Sequence, residues 1–276
     1  MQRNKIETRM KEINLDELKI IQMDILEAVD RFCSENGIRY SLACGSFLGA
    51  IRHKGYIPWD DDIDIYVPRA DYERMIQIFP DEIDNVKLVS MEREPRWDRA
   101  YAQAYNCRTI MDEYAKATMS VGVYIDVYPI DSVPDSDKEW QKYNKLRRTL
   151  IRLHESKRIL IRRDRSLSKN MVLVIMKMLL LPFSSRRIAS WISKFAQRYN
   201  NKGYGRSFEC VQGMLQKRPF KSSLMDEFVR APFEDREFMI MKDYDAYLSN
   251  GYADYMQLPP KEKQVAHHKF TAWWKE

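Results

Sequence analysis

The segment Trp59-Asp60-Asp61-Asp62-Ile63-Asp64-Ile65-Tyr66-Val67 places four aspartates at the head of an apolar alternation. Asp62 and Asp64 are two residues apart, so on an extended strand their carboxylates leave one face while Ile63, Ile65 and Val67 point into a core. Two carboxylates about 6 Å apart repel by about 3 kcal/mol at an effective dielectric of 20. A divalent cation removes that cost, and hard oxygen ligands at this spacing suit Mg2+ or Mn2+. Asp60 and Asp61 crowd the same neighbourhood in a supporting role. An acidic surface loop is the plainer reading of an aspartate run, and the apolar alternation and Trp59 argue against it.

VGVYIDVYPID (121–131) repeats the design, with Val123, Ile125 and Val127 on one face and Tyr124, Asp126 and Tyr128 on the other. An aspartate inside a β-branched strand is disfavoured and needs a reason. Beside Asp62 and Asp64, Asp126 would be a third metal ligand, a general base for an acceptor hydroxyl, or both. An edge-strand aspartate facing water is the competing reading. Four of the nine glycines (Gly37, Gly45, Gly49, Gly55) fall within nineteen residues. Gly45-Ser46, between a strand and a helical turn, lets backbone approach a ligand and offers free N–H groups. Arg52, His53 and Lys54 follow, and Arg52, closest to that turn, is the expected phosphate ligand. Near the end, His267 and His268 are weaker candidates for phosphate or metal, His268 slightly favoured over His267, with a solvated pair the default reading.

The elements that must hold these groups are legible. Leu15, Leu18, Ile21, Ile25, Val29 and Phe32 recur at helical steps, which predicts an amphipathic helix over 14–36 stopped by Gly37. DIDIYV (62–67), VKLVS, YAQAYN and VGVYIDVYPI read as strands, and ADYERMIQIF (70–79) as a helix. Strands and helices alternate to about residue 131, an α/β (α+β) pattern with a mixed sheet. The division expected is a core over 1–131, a basic helical part over 132–225 and a C-terminal segment over 226–276 that packs back on the core. MVLVIMKMLLLPF (171–183) is apolar except for Lys177, and is shorter than the roughly 20 residues a bilayer requires.

The net charge of +6 hides a polarised chain. Between Lys142 and Arg187, fourteen Lys or Arg face only Glu155 and Asp164, a local +12 that leaves −6 elsewhere. Two readings of 142–187 stand side by side: a helix lying on an anionic membrane, or a basic, partly buried helical subdomain with Met and Leu as its core. The first 35 residues lack an apolar signal region, and the four cysteines are scattered without a CxxC pair, which favours a cytoplasmic protein with reduced thiols over a disulfide frame or zinc site.

GSFLGAIRHKGYIPWDDDIDIYVPRADYE resembles the signature of the LicD family, whose members are phosphorylcholine transferase-like proteins on a nucleotidyltransferase-like fold. Gly45 and Ser46 match that family's turn, Asp62 and Asp64 its DxD pair, and Asp126 its third carboxylate. DAYLSNGYADYMQLPPKEKQVAHH is similar to its ending. The Gly-Ser to DxD gap is wider than in many nucleotidyltransferases, and the basic middle matches no motif. The resemblance implies a metal-dependent transfer of a phospho-alcohol, typically phosphorylcholine from CDP-choline, to a hydroxyl of a cell-surface glycan or lipid-linked precursor. Asp62 and Asp64 would hold the metal against the diphosphate. The Gly45–Ser46 backbone and Arg52 would clamp phosphates. Tyr56, Trp59, Trp97 and Tyr124, Trp59 foremost, would cage a quaternary ammonium. The rival readings are a nucleotidyltransferase acting on RNA or a small molecule and a non-catalytic glycan-binding protein. The basic stretch has no recognisable RNA-binding module, so no nucleic-acid partner is expected.

Overall fold

The computed structural model describes residues 10–113, 118–161, 166–213, 218–252, 254–265 and 270–276. The first helix, α1 (Leu15–Glu35), is begun by Asn14, whose side chain accepts a hydrogen bond from the Glu17 N–H. It ends before Gly37, which takes φ +60°. Leu18, Ile25, Leu26 and Val29 form its fully buried stripe, and α1 packs on two strands of the central sheet, β5 (Ala102–Asn106) and β7 (Tyr124–Val133).

The sheet is mixed. Its main path runs β2 (Ser41–Leu42), β3 (Asp64–Pro68), β7, β5, β4 (Val86–Val89). Only the β3–β7 pair along that path is parallel, with Asp64 opposite Asp126; β5 runs antiparallel on the other side of β7, with Gln103 opposite Asp126. Helix α2 (Cys44–Arg52) links β2 to the acidic segment, and α3 (Arg69–Ile78) follows β3 and packs on β7. Ile63, Ile65 and Val67 are buried as the alternation requires. The predicted strand over 62–67, however, begins only at Asp64, leaving Asp62 half-buried in the preceding loop. The Asp61 carbonyl, in that loop, accepts from Gln22 of α1 at 3.1 Å and not from a neighbouring strand, so the ladder stops short of it.

After β7 the basic stretch is helical, as its pattern predicts: α4 (Asp137–Arg158), α5 (Leu167–Leu179) and α6 (Ser185–Ala196). The chain then returns to the sheet. Strand β8 (Arg206–Glu209) pairs antiparallel with the far half of β7, and β9 (Phe220–Lys221) pairs with β8. Within the apolar run of 171–183, Leu173 and Leu180 are buried and Phe183 packs against the core, while most of the other apolar side chains of α5 are exposed. No helix of the described residues is long and apolar enough to cross a membrane.

The C-terminal segment closes on the front of the chain. The hairpin β10 (Phe228–Phe233) and β11 (Arg236–Met241) contacts α2 and β2, and helix α7 (Tyr244–Tyr252) stacks Tyr247 on Phe47 of α2. Strand β12 (Phe270–Trp274) lies between β1 (Glu12–Ile13) and β6 (Thr109–Glu113) in a separate small sheet. The four cysteines are free thiols.

Candidate active site

The carboxylates gather where β3 and β7 begin. Their positions follow from the turn between β2 and α2. Ala43 is extended, Cys44 takes the left-handed region at φ 49°, and the chain then enters α2. This turn grips the backbone of Asp64 from both sides: Ala43 N–H donates to the Asp64 carbonyl at 2.9 Å, and the Asp64 N–H donates to Ser46 Oγ at 3.1 Å. A Cβ on Gly45 would lie in contact with Asp60 Oδ2, far inside ordinary packing distance. Gly45 therefore makes room for an acid of the protein itself, and Ser46 holds another in register.

The loop before β3 brings Asp60, Asp61 and Asp62 together, each with a carboxylate oxygen within 4.8 Å of the others. Gln22, buried in α1, anchors this loop. Its Nε2 donates to the Asp61 carbonyl at 3.1 Å and to the Tyr124 carbonyl at 3.3 Å, while its Oε1 accepts from the Tyr56 hydroxyl at 3.1 Å. One side chain thereby ties the acidic loop to the start of β7. Burial pushes the Asp64 carboxyl well above the usual carboxylate range, and the charges of Asp62, Asp126 and Asp60 push it further.

Asp126 is held differently. Gln103 Nε2 donates to its Oδ1 at 2.7 Å and the Tyr128 hydroxyl to its Oδ2 at 2.7 Å, so the carboxylate is oriented on both oxygens. A carboxylate has about four lone-pair sites, which leaves capacity for a further partner. Among the described residues the carboxylates close enough to share one cation are Asp60, Asp61 and Asp62, a donor set of oxygens that fits a hard divalent ion. The predicted ligands Asp64 and Asp126 stand outside that group, and Asp64 feels its charge. Asp60, which the spacing relegated to support, belongs to the tightest acidic group.

The other expected site residues are distributed more widely. Arg52 Nη1 donates to the carbonyls of Tyr255 at 2.9 Å and Gln257 at 3.3 Å, so the guanidinium anchors the C-terminal segment. Trp59 packs against the core with its ring edge-on to His53, centroids 6.2 Å apart. The remaining cage candidates have cations of the chain itself over their faces. Lys19 Nζ lies 4.7 Å from the Tyr56 ring centre, and the buried Arg99 guanidinium lies 5.3 Å from Trp97, 5.9 Å from Tyr101 and 5.8 Å from Tyr124. His267 and His268 lie outside the described residues.

Sequence reasoning missed Gln22, Gln103 and Arg99. The first two had a signal: each is a carboxamide set within an apolar helix stripe or strand, where an unpaired amide is costly. Arg99 carried none, because Trp97 and Tyr101 close around it in the loop before β5 and Tyr124 is brought to it by β7.

Comparison with known proteins agrees with this geometry. Residues 37–157, which hold the turn, the acidic loop and β7, match the LicD/FKTN/FKRP nucleotidyltransferase domain. The chain is 29% identical over 262 residues to the lipopolysaccharide cholinephosphotransferase LicD of Haemophilus influenzae, covering 94% of this chain and 97% of that protein. Shorter matches link it to uncharacterized proteins of Rickettsia typhi, 32% identical over 27% of this chain and 24% of that protein, and of Rickettsia prowazekii, 36% identical over 25% and 26%. With its signature motif seated on the mixed sheet, the chain carries over residues 37–157 a match to the LicD/FKTN/FKRP nucleotidyltransferase domain and is similar over nearly its whole length to a LicD transferase.

Proposed function

We propose that the protein transfers phosphorylcholine from CDP-choline to a hydroxyl of a cell-surface glycan precursor, with Asp60, Asp62, Asp64 and Asp126 forming a divalent-metal centre. The observation that carries this reading is the similarity to a lipopolysaccharide cholinephosphotransferase over nearly the full length of both proteins. When bound, Mg2+ or Mn2+ would neutralise charge on the donor diphosphate and on the departing nucleoside monophosphate.

The chain's own groups supply the rest. Asp126, oriented by Gln103 and Tyr128, takes the proton of the acceptor hydroxyl. The hydroxyl oxygen then bonds to the β-phosphorus, the bond from that phosphorus to the bridging oxygen breaks, and CMP leaves with the electron pair. Gly45 and Ser46 act through the acids they position. Arg52 keeps Nη2 for a donor phosphate while Nη1 holds the tail. A lipid-linked acceptor would require the enzyme to work at the inner face of the cell membrane.

The test is to incubate the protein with CDP-choline, CDP-ethanolamine, CDP-glycerol or CDP-ribitol, with and without candidate glycans, and follow release of CMP. Mg2+-dependent CMP release that is fastest with CDP-choline is the expected result. Pyrophosphate released from CTP instead would identify a nucleotidyltransferase, and turnover unchanged by chelation would remove the metal from the reading.

A further inference from the structure

Helix α5 is turned opposite to an ordinary helix of a water-soluble domain, which hides its apolar stripe. Leu167, Met171, Val172, Ile175, Met178 and Leu179 are each more than half exposed. At 100° per residue they fill an outward arc of about 140°. On the protein side, Leu173 is buried and Lys177 Nζ donates to the Lys157 carbonyl at 2.8 Å, tying α5 to the end of α4. Leu181, just beyond the helix, extends the apolar surface.

The charge around this arc has one sign. From residue 156 to 208 the sequence holds thirteen Lys or Arg and a single acid, Asp164. Lys169 on the helix and Arg187 after it are exposed. A second copy docked on this face would oppose cations to cations, with almost no acid in the segment to pair them. An apolar face bordered by basic side chains has the chemistry of a surface that is hydrocarbon beneath a layer of phosphates.

We propose that the outward face of α5 is an interfacial anchor that lies on an anionic lipid bilayer, with Leu167, Met171, Ile175 and Leu179 among the upper acyl chains and Lys169 and Arg187 against lipid phosphates. Thirteen residues of helix suffice to lie in the interface and not to span it. The proposal rests on the reading of a lipid-linked acceptor only for its purpose; its physical basis is the helix.

The experiment is co-sedimentation of the intact protein with phosphatidylcholine vesicles, with and without phosphatidylglycerol, which requires no turnover and so fails independently of the catalytic reading. Binding to the phosphatidylglycerol vesicles is expected, weakened by salt. The variant M171E/I175E/L179E should lose about tenfold or more of that binding, and K169E/R187E should lose binding to anionic vesicles. Because every substituted side chain is exposed, circular dichroism and melting should be unchanged. No vesicle binding by the wild type, equal binding by the triple variant, or a wild-type dimer that the triple variant converts to monomer would each overturn the proposal.

Discussion

Asp64 and Asp126 stand directly opposite one another on the parallel β3–β7 pair, their carboxylates leaving the same face of the sheet. Their surroundings differ: Asp126 accepts two side-chain hydrogen bonds, whereas burial and neighbouring acids disfavour the charge on Asp64. A site of this kind stores instability that function uses. Asp64→Asn should therefore lower transfer by about 10²–10⁴-fold while raising stability by about 1–3 kcal/mol. Thermal melts with and without Mg2+ check this: the cation should raise the wild-type melting temperature, and the variant should lose that increment. A variant that kept both full turnover and the Mg2+ response would remove Asp64 from the centre.

Gly45 and Gly49 lie in the same helix, and alanine at each should give different results. At Gly45 the added methyl meets the Asp60 carboxylate, so Gly45→Ala should displace that acid and cut activity about tenfold or more with little loss of stability. At Gly49 it meets the Gly55 backbone carbonyl, which cannot swing aside. Gly49→Ala should cost about 1–3 kcal/mol in denaturant unfolding. Matching losses of stability in both variants would contradict the division.

Arg52 joins the front of the site to the C-terminal segment through the Tyr255 and Gln257 carbonyls. Loss of charge-assisted hydrogen bonds of about 1.5–3 kcal/mol should leave that segment more open to limited proteolysis in Arg52→Ala. The same variant should raise the donor KM about tenfold if Nη2 meets phosphate. Faster cleavage with an unchanged KM would leave Arg52 as a tether alone.

Glu209 is fully buried on β8, its Oε1 accepting from the Val211 and Gln212 N–H groups and its Oε2 without a hydrogen-bond partner among the described residues. Burial raises its carboxyl to about 7. The folded protein therefore binds more protons at Glu209 than the unfolded chain does between pH 4.5 and about 7. The stability it contributes is present at low pH and is lost as pH rises through that window. Glu209→Gln preserves the Oε1 acceptor and abolishes the titration. Its stability relative to wild type should rise from pH 5 to pH 8, read from paired melts. The difference between the two proteins cancels the opposite slope from His154, whose buried ring is pushed down to about 4.

The legible part of this protein is what periodicity and local chemistry determine. The stripe of α1, the alternation of β3 and β7 and the Gly37 stop each act over a few residues, so their pattern is their structure. The signature motif was likewise readable, and Asp126 stood out as a lone aspartate among β-branched neighbours, but its register opposite Asp64 is set by the pairing of β3 with β7. The helices of the basic stretch were readable too. Whether the apolar run within it faces inward or outward was not, since composition is blind to which side of a helix finds a partner.

Only tertiary structure decided the rest. The strand starts at Asp64, the Asp61 carbonyl being taken by Gln22 of α1, and the loop so formed gathers Asp60 with Asp61 and Asp62. Gln22 reaches the acidic loop from 39 residues away, and Gln103 reaches Asp126 across the β5–β7 pair. Arg52, placed by spacing next to phosphate, is pulled to carbonyls 203 and 205 residues downstream. A polar side chain takes whichever partner the fold brings within about 3 Å, and that partner is set by the packing of distant segments. The acids by themselves announce the chemistry of this chain; the pairing of β3 with β7 and the grip of the Ala43–Ser46 turn on Asp64 determine where it can occur.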